Sequence, residues 1–196
     1  QPQPEASLYP ISPTVVEVEL RSPADAPART EPVEVLVDGR PWAGRSGVRR
    51  RVSEVTQAGR ATLTSWLFFE GQVPLREGQK LSLKGPQWHL QGQFHQQRPA
   101  RALHLNLLGY AASASKRAWV GADLGSLGQL AVNPRSNCQL LDPKGQTVWK
   151  GTLQPGTDRG WPWPSPYSQL YSVDFSAFQT SGSYHLEEDG LGQPPP

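Results

Sequence analysis

Methionine is absent from the 196-residue chain, and cysteine occurs once, at Cys138. A single thiol cannot close an internal disulfide, so packing and hydrogen bonds must hold the fold. A β-sandwich of this size buries enough core for that, and secretion is not excluded. Charge is scarce as well: Asp, Glu, Lys and Arg make up 18% of the residues, with a net charge of +2. So small an imbalance offers no footprint for nucleic acid or another polyanion. No apolar run approaches the ~20 residues of a membrane-spanning helix. Nor does an apolar repeat of 3.6 residues persist for three turns, which leaves almost no helix to be expected.

Turn formers and indoles are abundant, with 20 Pro, 19 Gly and 7 Trp. Frequent chain reversal favours many short strands, and the chain is expected to be all-β, as two tandem β-sandwiches. Thr14–Leu20 alternates cleanly, with Val16, Val18 and Leu20 facing inward and Glu17 and Glu19 outward. Val33–Val37 forms the next strand and stops at Asp38-Gly39, a strong hairpin signal. Val48–Val55 carries Arg49-Arg50-Arg51, readable as a basic patch or as an edge strand whose charges deter aggregation. Ala61–Phe69 is the most hydrophobic strand and is expected at the centre of its sheet. Lys80–Leu83 and Gln87–Phe94 follow, the latter placing Trp88, Leu90, Gly92 and Phe94 on one face. The first sandwich is thus drawn at residues 14–98, with Gln96–Arg101 as linker and residues 99–196 as the second domain.

Before the first sandwich lies a Pro-rich arm, residues 1–13. Its start at Gln1 reads either as a mature end left by signal-peptide removal or as a trimmed chain. Pro2, Pro4, Pro10 and Pro13 pre-extend the arm and lower the entropy lost when it docks. Leu8, Tyr9 and Ile11 supply apolar anchors. They could lie along the arm's own domain or along an exposed edge of another copy as an added strand.

The second half carries a hairpin in plain sight. In Cys138–Leu153, Asp142 can bond its own backbone, Pro143 pre-sets φ and Gly145 tolerates a left-handed exit. Thr147, Trp149 and Leu153 are expected to share one face. Leu103–Tyr110 reads as a strand ending in Gly-Tyr. It is followed by Lys116-Arg117-Ala118, the strand Trp119-Val120-Gly121, the phrase Val173-Asp174-Phe175-Ser176 and the ending Gly182-Ser183-Tyr184-His185-Leu186. In this order the segments from Ala102 to Gly192 resemble the N-terminal immunoglobulin-like module of family-nine glycoside hydrolases, the cellulases and their relatives. That resemblance implies an immunoglobulin-like second domain. It also implies that the catalytic acids of such enzymes reside in a separate, larger helical domain downstream.

Residues that could carry chemistry are few. His89 and His95 are too far apart on a strand to chelate a metal unaided, and no Cys or carboxylate cluster joins them. No cofactor is implied, and no Gly-x-Ser-x-Gly elbow is present. Asp142, Asp158 and Asp174 suggest paired glycosidase carboxylates at first sight, but Asp142 is a turn residue and Asp174 sits in the module's structural phrase. No catalytic residue is therefore assigned. Between Asp158 and Tyr167, alternating prolines space Trp161, Trp163 and Tyr167. These rings could stack on a sugar or dock a protein, or fold back over a sandwich edge. Two functions are compatible with these readings. One is a non-catalytic, stabilising or polysaccharide-contacting region of a secreted, cellulase-like hydrolase, partnered by a downstream helical catalytic domain. The other is a subunit of an extracellular fibre or surface assembly, partnered by copies of itself.

Overall fold

A computed structural model of the chain describes residues 5–23, 34–55, 61–106, 108–156 and 169–191. The described residues form four small antiparallel sheets without an α-helix, in two units. The fold is all-β, with two β-sandwich units in tandem.

The first unit holds β1 (Glu5–Pro10), β2 (Val15–Pro23), β3 (Glu34–Val37), β4 (Arg40–Pro41), β5 (Gly44–Val55), β6 (Ala61–Gly71), β7 (Lys80–Lys84) and β8 (His89–Gln93). One sheet has the order β1-β2-β6-β5, the other β4-β3-β7-β8. The hydrophobic β6 is interior, as its composition demands, and the arginine-bearing β5 takes an edge. At that edge the Arg49 guanidinium lies 4.7 Å from the centre of the Trp66 ring. Val16, Val18, Leu20 and Leu67 from the first sheet meet Val35, Leu81 and Leu83 from the second, with Trp42, Trp88 and Phe94 closing the ends. The β3–β4 turn uses Asp38 and Gly39 at φ 49° and 75°, the left-handed pair that a two-residue hairpin requires. Asp38 is fixed there by accepting from the Lys80 backbone N–H and the Gln79 amide, both at 2.9 Å.

Two expectations for this unit change. Glu17 is not a solvent-facing residue but is buried, at 5% exposure. It shares its face with Val15 and stands opposite Phe68, both also buried, so this end of the sheet is covered on both faces and alternation alone could not mark a wet side there. Part of the cover comes from far along the chain, because Leu124–Gly128 belongs to the first unit. There Ser126 Oγ accepts from the Val48 N–H at 3.1 Å, and Leu127 packs against Gly47. The arm, from Glu5 onward, lies along its own domain, which is one of its two readings, and the change is in where the unit starts. Glu5–Pro10 pairs with Val16–Arg21 through six residues, so the unit's first strand begins at Glu5 rather than Thr14. Pro10 is tolerated because it closes an edge strand.

The second unit contains β9 (Leu103–His104), β10 (Arg117–Val120), β11 (Asn137–Leu141), β12 (Thr147–Thr152), β13 (Gln154–Gly156), β14 (Leu170–Asp174) and β15 (His185–Glu188). Its sheets run β13-β14-β10-β9 and β12-β11-β15. Ala118, Val120 and Val173 are buried on one sheet, Cys138, Leu140 and Leu186 on the other. The strand expected over Leu103–Tyr110 stops after His104. Asn106 captures the Leu108 N–H at 3.1 Å, and its carbonyl accepts from Gly109 at 3.0 Å. This side-chain turn outcompetes the sheet ladder. The β11–β12 hairpin forms around Asp142, whose Oδ1 accepts from Lys144 N at 2.9 Å and Gln146 N at 2.8 Å. Its ladder slips between Leu140 and Leu141, so Trp149 lies opposite Leu140 but Thr147 opposite Leu141. Thr147 and Trp149 therefore occupy opposite faces, because a bulge resets the period-two alternation.

Candidate functional site

Two phrases of the second unit meet across the β10–β14 ladder, where Arg117 pairs with Asp174. Lys116, just before β10, is buried at 5% exposure. A buried ammonium is tolerable only when its three donors are used. Lys116 Nζ donates to the carbonyls of Ala112 at 2.6 Å, Ala114 at 3.1 Å and Ser176 at 3.4 Å. Its own backbone N–H donates to Ser176 Oγ at 2.9 Å. Next to it, Arg117 reaches Asp174 Oδ2 at 3.3 Å, and the other oxygen of Asp174 accepts from Ser176 N at 2.9 Å. Those bonds from Ser176 and Arg117 hold the Asp174 carboxyl below the usual carboxylate range. An acid kept ionised and committed to its own turn is poorly suited to deliver a proton. Asp142 is likewise engaged by its hairpin. The chemistry of both phrases is that of a clamp on local backbone.

Tyr110 ties the same region together. Its hydroxyl donates to the Arg117 carbonyl at 2.5 Å and accepts from Asn106 N at 3.2 Å, while its ring meets Phe175 edge-on at 5.4 Å. Trp149 approaches Phe175 from the other sheet at 6.0 Å. Residues 98–193, which contain all of these groups, match the family model of the cellulase N-terminal ig-like domain. That segment belongs to this family. No curated protein and no solved structure matches the chain.

Within the cellulase N-terminal ig-like domain, one interior position is polar where a hydrophobe would be expected. Cys138 of β11 stands opposite Glu188 of β15, and both are buried. Loss of water pushes the Cys138 thiol up to about 12, with Glu188 and Asp189 adding repulsion. Loss of water also lifts Glu188 to about 7, against hydrogen bonds from Ser136 and the Leu191 backbone. One carboxyl oxygen, Oε2, has no hydrogen-bond partner among the described residues. The thiol is a buried small residue, and its high pKa makes it a poor nucleophile.

Of the anchors assigned from sequence, Leu8 and Tyr9 are half-buried on β1, and Leu8 packs on the first unit's core. Ile11 is 1% exposed. Leu8 and Ile11 are thus occupied within their own unit. Trp161, Trp163, Tyr167 and Asp158 lie outside the described residues. His89 bonds Ser82 at 3.0 Å and His95 bonds Glu77 at 2.7 Å. No cluster of three or more metal-ligating side chains occurs among the described residues. Sequence reading missed Lys116 and Glu188 as special positions. For Lys116 a signal existed, the Lys-Arg-Ala phrase itself. For Glu188 there was none, because a glutamate closing a short final strand reads as an ordinary half-wet edge.

Proposed function

We propose that the chain is the non-catalytic β-sandwich region of a secreted, cellulase-like glycoside hydrolase, acting as a stabiliser of the catalytic domain it accompanies. The observation that carries this reading is the family match over residues 98–193. Such a domain normally precedes a catalytic domain. The clamp built from Lys116, Arg117, Asp174 and Ser176 supports it, since these groups stiffen a sandwich and leave the carboxylates committed to structure. Among the described residues no helix is long and apolar enough to cross a membrane.

A scaffold acts by offering a neighbour a rigid surface, and anything that binds only the folded neighbour stabilises it by mass action. The test joins residues 1–196 to a family-nine catalytic domain and compares it with the catalytic domain alone. The expected result is a catalytic melting temperature several degrees higher in the joined protein, with hydrolysis of a soluble cello-oligosaccharide retained. Identical melting of the catalytic domain in both forms overturns the stabilising role.

A further inference from the structure

The outward face of the β13-β14-β10-β9 sheet carries a large aromatic ring that the clamp around Lys116 does not use. Ala118 and Val120 of β10 are buried, so Trp119 between them points away from the core, where it is half-buried. Across the ladders Trp119 stands opposite Ser172 of β14, and Ser172 stands opposite Gln154 of β13. These three residues form a row about 10 Å long at the usual strand spacing. The indole reaches two strands across the sheet: a Cβ added to Gly156 of β13 would come within 2.8 Å of Trp119 Cζ3. Glycine at 156 therefore leaves the space in which the ring lies along the sheet instead of standing off it. Beside the ring, the Arg117 guanidinium is 5.7 Å from its centre and is paired with Asp174 at 3.3 Å.

We propose that this face binds a flat, uncharged polysaccharide chain, with one sugar ring stacked on Trp119. The face of an aromatic ring is electron-rich, which suits the C–H bonds on the flat side of a sugar whose hydroxyls point outward around its rim. Those hydroxyls need donors and acceptors beside the aromatic ring, and the Ser172 hydroxyl and the Gln154 amide supply both. Neither side chain makes a hydrogen bond among the described residues, so binding has no existing contact to break. The two charges next to Trp119 cancel in the Arg117–Asp174 pair, which leaves no preference for an ionised ligand. A protein partner requires instead a cluster of apolar groups at the centre of the contact. Among the described residues of this face, Leu170 opposite Gly156 is the one apolar companion of the indole. Because the ring is already laid in place over Gly156, stacking on it costs little further ordering. The choice of a polysaccharide over another uncharged ligand rests on the function proposed above; the place and polarity of the site do not.

The test follows the tryptophan side-chain N–H signals of the full chain by NMR during titration with cellohexaose, a flat chain, and maltohexaose, a curled one. The Trp119 signal is the one missing from Trp119→Phe. It is expected to move saturably with cellohexaose, with an at least tenfold weaker response to maltohexaose. Gln154→Ala, an exposed change that leaves the core alone, is expected to weaken cellohexaose binding roughly twofold to tenfold, the effect of one lost hydrogen bond. A Trp119 signal that stays still, or unchanged affinity in Gln154→Ala, overturns the site. An equal response to maltohexaose overturns the preference for a flat chain. A Trp119 signal that ignores both sugars but shifts when the chain is joined to the catalytic domain makes this face a protein contact and overturns the sugar. The melting comparison of the joined protein uses no polysaccharide, so either proposal can fail without the other.

Discussion

Glu188 shows how one buried side chain can set the acid–base behaviour of a domain. Its carboxyl is lifted by loss of water from an ordinary 4.5 to about 7. The folded state therefore holds a proton that the unfolded chain releases. By linkage this contribution is fully present below pH 4.5 and is lost as the pH rises through 7. The loss is on the order of 3 kcal/mol over that window. Glu188→Gln keeps the shape and cannot ionise. Urea unfolding at pH 5 and pH 8 is expected to show near-equal stability at the lower pH and a variant more stable by roughly 1–3 kcal/mol at the higher one. A variant with the same fall in stability between the two pH values would sink this assignment. Cys138 beside it follows the same sign at higher pH, since its thiol stays protonated in the fold until about 12.

At the scale of elements, the arm is the instructive case. Proline spacing marked residues 1–13 as extended, and extension is what an edge strand needs. Its docking partner was not legible, because pairing with β2 depends on which edge the rest of the sheet leaves open. β1 contributes six cross-strand pairs and places Leu8 against the core. Removing residues 1–10 is expected to lower stability by about 2–4 kcal/mol, from lost apolar burial and exposed sheet edge, with no change in oligomeric state. Calorimetry with light scattering checks both. An unchanged melting temperature would show that the strand adds nothing to the fold. The β11–β12 hairpin makes the opposite point. Asp142, Pro143 and Gly145 announced the turn correctly, yet the bulge at Leu140/Leu141 decides which faces Thr147 and Trp149 take. A turn motif is local chemistry, whereas register is settled by what the strand packs against.

For the whole molecule, the family match identifies an accessory ig-like domain over residues 98–193, and no helical catalytic domain occurs among the described residues. Both described candidate carboxylates serve backbone turns. A glycosidase needs instead two acids held on opposite sides of a sugar ring, one of them protonated. The isolated chain is accordingly expected to release no reducing sugar from cellulose above the buffer control. Release that disappears in Asp174→Asn or Asp158→Asn would contradict this.

Alternation, turn chemistry and composition were enough to predict an all-β chain, the central place of β6 and the hairpins at Asp38-Gly39 and Asp142–Gly145, whereas the edge place of β5 was one of two readings until the sheet order decided it. Each of the predicted features is a property of neighbouring residues, which the sequence carries directly. The phrases around Lys116 and Asp174 identified the second domain because their order along the chain is itself informative. Burial of Glu17, the early stop of β9, the carbonyl cage around Lys116, the Cys138–Glu188 pair and the laying of the Trp119 indole over Gly156 belong to the tertiary structure alone. Whether a polar group is wet or dry depends on what a distant segment lays over it, as Leu124–Gly128 does over β5. No local pattern records that, because desolvation is decided by residues remote in sequence and close in space.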